Sequence, residues 1–300
     1  FQHPGYLDAM EGLVLAQQSG RINKIGLTNF DTNHLRVLVR HGFPVVSNQV
    51  VVSMLDQRGL EEMAKVVLEN NIKLLAYGVL AGGFLTEKWL DKPEPANSDL
   101  SDWSKMKYKR FIDETGGWGN LQNILRVLKS VAQRHGVSIA NVATRWVLDH
   151  PAVGAVIVGA RLTENQHRED NVAIFSFSLD EEDRSLIAES VANNRRLKGD
   201  CGDEYREPPF LTASGDLTHH LDSFPSVYEP IAVPGKADRI QVFSGTKWEK
   251  ICGHSRAVKI GNRILVSGTT ATHGQDVVVC RGDAAGQAVY VLDKIKASVM

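Results

Sequence analysis

The strongest constraint on the fold is a regular alternation, between residues 6 and 195, of segments with helical spacing and short apolar segments. Four apolar segments predict strands, at 24–28, 45–49, 72–77 and 155–158. Because helical segments separate these strands, the pattern predicts a parallel sheet covered by helices. Such a sheet is either doubly wound or part of a (β/α)8 barrel. Four strands cannot close an eight-stranded barrel, so we expect a small open sheet or one half of a barrel.

Capping residues mark where several of the predicted helices begin and end. Gly20 is placed to end the first helix and Asp31 to begin the second. Thr163 with Gln166 resembles a capping box that opens a later helix. The helical segments with defined bounds are 6–18, 31–41, 58–70, 120–135, 138–148 and 180–193.

The composition is that of an ordinary globular protein, and it narrows the classes of partner. With 43% hydrophobic residues, the 300 residues can bury one large core, or one large and one small core. The 34 basic and 35 acidic side chains give no indication of nucleic acid or a membrane surface as a partner. Three separated cysteines without CxxC spacing argue against disulfides and against a metal site, and they indicate the cytoplasm. No membrane-spanning run or leader is found, and a first residue of Phe rather than Met indicates a fragment.

Near residue 195 the alternation ends, and the remaining chain predicts a second, smaller domain. Residues 206–237 lack periodicity and are interpreted as a linker, with His219 and His220 in a solvated loop. An alternating hairpin then turns at Gly261 and Asn262, and a helix is predicted over 283–300. Because about sixty residues form only a marginal core, this domain is also interpreted as truncated.

Polar residues follow the predicted strands, at the edge where α/β proteins bind ligands. Each has a plain structural interpretation, because Thr-Asn can start a turn and Asn-Gln can satisfy loop backbone. Together they match part of a dinucleotide. Thr28, Asn29 and Gln49 supply hydroxyl and amide groups for a carboxamide, and Tyr77 supplies a flat face for a planar ring.

Glycines and an arginine extend this pattern. Gly78, Gly82 and Gly83 permit close approach of the backbone to a pyrophosphate. Arg161 precedes a predicted helix start, where a guanidinium and a helix N-terminus both favour phosphate. We therefore expect NADP(H) as the cofactor. The long connection at 87–117 is interpreted as a lid over it. A basic cluster in this connection would face either phosphate or solvent, and its members are Lys105, Lys107, Lys109 and Arg110.

Four motifs, in this order, resemble the aldo-keto reductase family. They are "GLTNF" at 26–30, "SNQV" at 47–50, "LAYGVLAGGFLT" at 75–86 and "IVGARLTENQHREDN" at 157–171. The resemblance covers residues 1–205 and implies the C-terminal half of a (β/α)8 barrel that transfers a hydride between NADPH and an aldehyde or ketone. It implies that Thr28, Asn29 and Gln49 hold the nicotinamide carboxamide and that Tyr77 stacks on the ring. The other implied cofactor contacts are Gly78, Leu80, Gly82, Gly159, Arg161, Gln166 and Asn171.

The chain departs from the family pattern at three local features and in lacking the catalytic residues. Gly78 stands where the family has Ser, Val79 stands where it has Pro, and the spacing from Arg161 to Asn171 is long. The family's catalytic Asp, Tyr, Lys and His belong to the first four strands, and this chain begins after them. His3 matches a loop residue rather than the catalytic His, so we assign no catalytic residue.

Residues 238–300 resemble the start of the Rid/YjgF family, also called endoribonuclease L-PSP-like, through "CGHSRAVKIGNRILVSGTTA" at 252–271. The resemblance implies a partial α+β domain that assembles as a trimer and hydrolyses enamines or imines. His254 replaces the usual Tyr, and the segment that carries the substrate-binding Arg is not present.

We therefore expect an NADPH-dependent aldo-keto reductase fragment that acts on a small carbonyl compound and is inactive by itself. Two alternatives remain open. The first is an imine deaminase of the Rid family, and the second is a regulatory subunit that binds NADPH without catalysing a reaction.

Overall fold

The structure, a computed structural model, describes residues 4–100, 102–159, 167–206 and 228–299. Within these limits the chain forms two compact units. The α/β unit comprises residues 26–32 and 46–206, and the terminal unit comprises residues 4–25, 33–45 and 228–299. No helix of the described chain has the length and apolar character needed to cross a membrane.

Ten α-helices and ten strands are found in the described residues. The helices are α1 (Tyr6–Gln18), α2 (Thr32–His41), α3 (Glu62–Glu69), α4 (Trp103–Thr115), α5 (Gly117–His135), α6 (Ile139–Leu148), α7 (Arg168–Ala173), α8 (Glu181–Val191), α9 (Lys247–Cys252) and α10 (Ala284–Val299). The strands are β1 (Ile25–Thr28), β2 (Val45–Val51), β3 (Lys73–Tyr77), β4 (Val153–Ile157), β5 (Glu229–Ala232), β6 (Arg239–Phe243), β7 (Ala257–Ile260), β8 (Arg263–Val266), β9 (Thr272–His273) and β10 (Val277–Val278).

A four-stranded parallel sheet organises the α/β unit. Its strands follow the chain in the order β1-β2-β3-β4. Gln49 lies opposite Leu75, and Tyr77 lies opposite Ile157, so the strand ends meet at one edge. A doubly wound sheet reverses its strand order at a switch point, and this sheet does not. The parallel sheet predicted from the sequence is confirmed, and its order is that of consecutive βα repeats.

The outer strands of this sheet are not buried on both faces, contrary to the sequence prediction. In β1, Ile25 and Leu27 are buried while Gly26 and Thr28 are exposed. In β4, Ile157 keeps 43% of its surface exposed. Parallel sheets generally have both faces covered, so this alternation is unusual.

The helices of the α/β unit form its core against one another and the strand ends. The helix α5 packs against α4, α6 and α8. Its side chains Leu121, Ile124, Leu125 and Leu128 are fully buried in a cluster that also holds Phe84 and Phe111. Complete burial of a leucine side chain contributes about 2 kcal/mol, so this helix is a main source of stability.

Most predicted elements of this unit are confirmed, with two corrections. The segment predicted as one helix over 58–70 is a 3-10 turn, Arg58–Leu60, followed by α3. The connection at 87–117 contains α4, which the prediction lacked. The capping box predicted at Thr163 and Gln166 lies outside the described residues.

The terminal unit joins both ends of the described chain. Strands β5 to β8 form an antiparallel sheet, and the predicted hairpin is confirmed by the pairing of Ile260 with Arg263 across its turn. Strand β5 lies inside the segment interpreted as a linker, and α9 was not predicted. The Tyr6 hydroxyl donates to Asp293 at 3.2 Å, and His34 Nε2 lies 3.0 Å from the same carboxylate. The contacts thus group α10 with α1 and the greater part of α2, while the domain boundaries drawn from the sequence remain a prediction.

Candidate functional site

A cavity of about 840 Å3 lies at the carboxyl ends of β3 and β4. The residues after β3 form one wall, the first turn of α4 forms another, and Ile157 to Gly159 form a third. Ligands of parallel α/β proteins bind at this edge, so the cavity is the strongest candidate site in the α/β unit. Six residues predicted from the sequence as cofactor contacts line it, and these are Tyr77, Gly78, Leu80, Gly82, Gly83 and Gly159.

Among the residues that the structure describes, the predicted cofactor contacts Thr28, Asn29, Gln49 and Asn171 do not line this cavity. Thr28 is exposed, Asn29 and Gln49 are half-buried at the ends of β1 and β2, and Asn171 is half-buried on α7. The predictions at Arg161 and Gln166 lie outside the described residues.

Hydrogen bonds connect the ends of the first three strands. The Tyr77 hydroxyl donates to Asn29 Oδ1 at 2.9 Å, and the Asn29 backbone N–H donates to the Gln49 carbonyl at 2.9 Å. Asn29 has a φ of 55°, a left-handed conformation in which Asn is enriched. The side chains of Tyr77 and Asn29 therefore belong to one hydrogen-bonded group, and the Asn29 backbone joins it to β2.

Two further residues contact the group: Tyr205, which the sequence analysis did not single out, and Lys107, which it placed in the basic cluster. Tyr205 Oη lies 3.1 Å from Tyr77 Oη, and Lys107 Nζ donates to Tyr205 Oη at 2.6 Å. The Lys107 ammonium also lies 4.3 Å from the centre of the Tyr205 ring and within 5.5 Å of three further rings. Lys107 is 7% exposed, so the solvent-facing alternative for the basic cluster is wrong at this residue. A cation enclosed by aromatic faces is stabilised by the negative potential of the rings.

Buried ion pairs hold Tyr205 at this position. Arg58 donates to both oxygens of Asp56 and to Glu204 Oε2 at 3.0 Å, and it also donates to the carbonyl of Asp200 at 2.8 Å. Arg206 donates to the Asn29 carbonyl at 2.8 Å. The chain at 200–206 is therefore fixed beside the strand ends. The position of this segment could not be predicted from local sequence spacing, because Arg58 and Glu204 are 146 residues apart.

The glycines of the cavity have a structural role that the sequence analysis did not foresee. Gly78 has a φ of 67°, and a Cβ there would lie 2.0 Å from the Tyr108 hydroxyl. A Cβ at Gly82 would lie 2.8 Å from the Tyr108 ring. The close neighbour of both glycines is therefore a side chain of α4. Gly83 and Gly159, by contrast, have no atom within 4 Å of a Cβ, and their backbone is open to approach.

Burial sets the protonation of the tyrosines near the cavity. Desolvation, followed by the charge of Glu204, raises the pKa of Tyr77 far above its ordinary value. Desolvation, followed by Tyr205, raises the pKa of Tyr108 in the same direction. Both phenols therefore remain protonated and able to donate at neutral pH.

Comparison with known proteins shows the family to which the larger part of the chain is similar. The family model described as "Aldo/keto reductase family" matches residues 1–192. The chain is 32% identical over 145 residues to flagellar radial spoke protein 5 of Chlamydomonas reinhardtii, covering 48% of this chain and 27% of that protein. It is 28% identical over 159 residues to protein tas of Escherichia coli, covering 51% and 44% of the two chains. It is 26% identical over 192 residues to the aldo-keto reductase YhdN of Bacillus subtilis, covering 64% and 55%.

One solved structure supports the fold. The chain matches the glycerol dehydrogenase AKR11B4 of Gluconobacter oxydans with a TM-score of 0.53 and 22% identity, over 64% of this chain and 55% of that one. The chain thus spans between 27% and 55% of the lengths of the relatives named here. The match to the family model covers well over half of the 300 residues. The chain belongs to the aldo/keto reductase family.

Proposed function

We propose that the chain supplies the cofactor-binding half of an NADPH-dependent aldo-keto reductase that acts on a small carbonyl compound. The observation that carries this proposal is the cavity at the ends of β3 and β4, lined by Tyr77 and by the open backbone of Gly83 and Gly159. Family membership supports the reaction class. A bound nicotinamide would supply the hydride.

The residues present fit such a cofactor. The rings of Tyr77 and Trp89 line the cavity, and Lys88 and Lys105 place positive charge there for phosphate, with Lys105 also paired with Asp102. Because Tyr108 occupies the space beside Gly78 and Gly82, we assign the close approach of a pyrophosphate to Gly83 and Gly159. Thr28, Asn29 and Gln49 remain the proposed partners of the carboxamide. Arg161 is proposed for the 2′-phosphate, with Gln166 and Asn171 for the adenine.

We also propose that the four-stranded sheet is half of a (β/α)8 barrel. The strand order without reversal and the exposed residues of β1 and β4 support this, because four further strands would cover an exposed inner face. The catalytic tetrad would then come from the other half, and this chain by itself would not reduce a carbonyl compound.

A regulatory protein that binds NADPH without catalysis is the second candidate. Its basis is that no catalytic residue is assigned in this chain, while the Tyr77 hydroxyl and the Asn29 carbonyl contact Tyr205 and Arg206. For residues 238–300 we retain the Rid-like domain as a proposal. The antiparallel sheet and its contact with α10 support it, with trimer formation and imine hydrolysis as its expected properties.

Cofactor preference tests the proposal. Affinities for NADPH and NADH should be measured by saturation-transfer NMR on the 300-residue chain, on Arg161→Ala and on the control Arg168→Ala at the start of α7. We expect NADPH to bind more tightly than NADH, and Arg161→Ala alone to remove the difference. An unchanged ratio in Arg161→Ala would refute the assignment to the 2′-phosphate, and absence of binding by either cofactor would refute the site.

Oxidation of NADPH separates the two candidates. A chain extended by the proposed other half of the barrel should oxidise NADPH when an aldehyde is added. The reaction is followed as a loss of NADPH absorbance at 340 nm. Binding without any carbonyl-dependent oxidation by that extended protein would favour the regulatory alternative.

A further inference from the structure

A histidine of the terminal unit faces two carboxylates from the other end of the chain. His273, the second residue of β9, is 7% exposed. Its Nε2 lies 3.1 Å from Glu11 Oε1 and 3.7 Å from Asp8 Oδ1. Asp8 and Glu11 are three residues apart on α1, so their side chains leave the same face of the helix. One imidazole nitrogen and two carboxylate oxygens thus converge.

The two distances from His273 Nε2 to the carboxylate oxygens are close to those between neighbouring ligands of a metal ion. Two ligands bound at 2.0–2.1 Å in tetrahedral geometry lie about 3.4 Å apart. The distances of 3.1 Å and 3.7 Å lie on either side of this value, and all three ligand atoms lie within 4.8 Å of one another. Small rotations of the exposed Asp8 and Glu11 side chains would therefore bring the three ligand atoms to the separations of a tetrahedral site.

The second nitrogen of the imidazole is also held. His273 Nδ1 lies 3.3 Å from the hydroxyl of Tyr290 on α10, and that hydroxyl is buried. When Nε2 binds a metal, Nδ1 carries the proton and can donate it to this oxygen. Metal-binding histidines commonly have such a partner, because it fixes the tautomer and the orientation of the ring.

A cavity beside the cluster leaves room for further ligands. It has a volume of about 430 Å3, and its lining includes Glu11 and His41. The His41 imidazole also lies within electrostatic range of His273. Of the three proposed ligands, Glu11 therefore lies at the edge of an open cavity, and a zinc site with three protein ligands keeps one position for water or another small ligand.

We propose that Asp8, Glu11 and His273 bind a divalent transition cation of the zinc class, with Tyr290 orienting the histidine. One imidazole and two carboxylates suit Zn²⁺ better than the all-oxygen ligand sets that Ca²⁺ and Mg²⁺ prefer. The two carboxylates also neutralise the charge of the ion.

A second cluster of similar composition lacks these properties. His135, Asp180 and Asp183 also lie close together in the α/β unit. However, Arg134 lies 2.7 Å from Asp180 Oδ2 and 3.3 Å from Asp183 Oδ1, and both carboxylates accept hydrogen bonds from backbone N–H groups at the start of α8. A guanidinium already neutralises this cluster, so it serves as a control.

Metal titration tests the proposal. The full chain is stripped with a chelator and titrated with ZnCl2 by calorimetry, and separately with CoCl2 while visible absorption is recorded. We expect one equivalent of Zn²⁺ to bind with a Kd of about 10 μM or tighter. Four-coordinate Co²⁺ should give intense visible bands. Failure to bind Zn²⁺ in this range would overturn the proposal, and a simple histidine-carboxylate ion pair would explain the geometry.

Variants locate the site. Glu11→Gln and Asp8→Asn change exposed side chains and should preserve the thermal unfolding midpoint while abolishing the Co²⁺ bands. Tyr290→Phe should weaken Zn²⁺ binding about 10- to 100-fold while keeping the stoichiometry. His135→Gln should leave binding unchanged. Unaltered binding in Glu11→Gln, or loss of binding in His135→Gln, would contradict the assignment.

Discussion

At the scale of single residues, Gly78 links the cavity to the packing of α4. Its positive φ and the Tyr108 hydroxyl both exclude a side chain, because a Cβ would lie 2.0 Å from that oxygen. Gly78→Ala should therefore lower the free energy of unfolding by about 2–4 kcal/mol, through backbone strain and overpacking together.

Gly83→Ala is the matched control for this prediction. Gly83 has a φ of 90° but no atom within 4 Å of a Cβ, so only the backbone cost of about 1–2 kcal/mol applies. Urea denaturation of both variants measures the difference. Equal destabilisation would mean that Tyr108 does not occupy the space beside Gly78 in solution.

The three cysteines should differ sharply in reactivity. Cys252 is exposed, while Cys201 and Cys280 are buried. Burial, followed by the charge of Asp283, raises the pKa of Cys280 to about 11, and burial raises the pKa of Cys201 as well. Because the thiolate is the nucleophile, Ellman's reagent at pH 8 should label one thiol rapidly and the other two only after unfolding. Cys252→Ser should remove the rapid phase, and rapid labelling of two thiols in the native chain would show that a buried site is open.

The residues of the candidate site could be predicted only in part. Tyr77, Gly82 and Gly159 follow strands whose apolar pattern is clear, so their common edge could be predicted from the sequence. The role of Tyr205 could not, because its segment follows the last helix of the sheet and carries no periodic pattern. The contact of Tyr108 with Gly78 and Gly82 could not be predicted either. A glycine in the sequence does not show whether a ligand or a side chain lies close to its Cα.

At the scale of elements, a hydroxyl begins α6. The Ser138 side chain accepts a hydrogen bond from the backbone N–H of Asn141 at 3.1 Å and donates to Asp170 at 3.2 Å. Ser138→Ala should lower the free energy of unfolding by about 1–2 kcal/mol because a backbone donor loses its partner. Ser130→Ala, on the exposed face in the middle of α5, should be neutral or slightly stabilising in the same denaturation experiment. Equal effects of the two substitutions would contradict the capping role.

A lysine of α10 should make stability depend on pH. Lys294 donates to the carbonyls of Thr270 and Thr272, and desolvation, followed by the charge of Arg256, lowers its pKa to about 8 from 10.5. Between these values the unfolded chain binds a proton that the folded chain has lost. The free energy of unfolding should therefore rise as the pH increases from 8 to 10.5. This added stability is lost again as the pH falls back to 8.

Comparison with Lys294→Met isolates this contribution. Denaturation at pH 7.5 and pH 10 should show a rise of roughly 1–3 kcal/mol in the wild type that is absent from the variant. Lys296→Met, an exposed position on the same helix, should keep the wild-type dependence. A rise that persists in Lys294→Met would assign the effect to other groups.

Elements were predicted best where apolar spacing and a cap agree. The helix α1 has the predicted bounds, and α6, predicted over 138–148, spans Ile139–Leu148. The helix α4 was not predicted from the sequence. Its lysines at alternating positions, Lys105, Lys107 and Lys109, form a pattern that resembles a polar loop. Two of these lysines are nevertheless buried, one among aromatic rings and one between Glu94 and Asp113.

At the scale of the whole molecule, the sequence predicts a parallel sheet and a separate C-terminal region. It does not predict that α1 and the C-terminal residues form one compact unit. The buried contacts of Asp293 with Tyr6 and His34 span more than 250 positions, and no local pattern encodes such a pairing. The proposed metal ligands share this property, since Glu11 and His273 come from the two ends of the chain.

The central claim is that a nicotinamide dinucleotide binds at the carboxyl ends of β3 and β4. It is tested most directly by recording backbone amide chemical shifts of the 300-residue chain during titration with NADPH. We expect shifts concentrated at residues 77–89 and at Gly159, with the terminal unit unchanged. Absence of shifts, or shifts confined to the terminal unit, would contradict it.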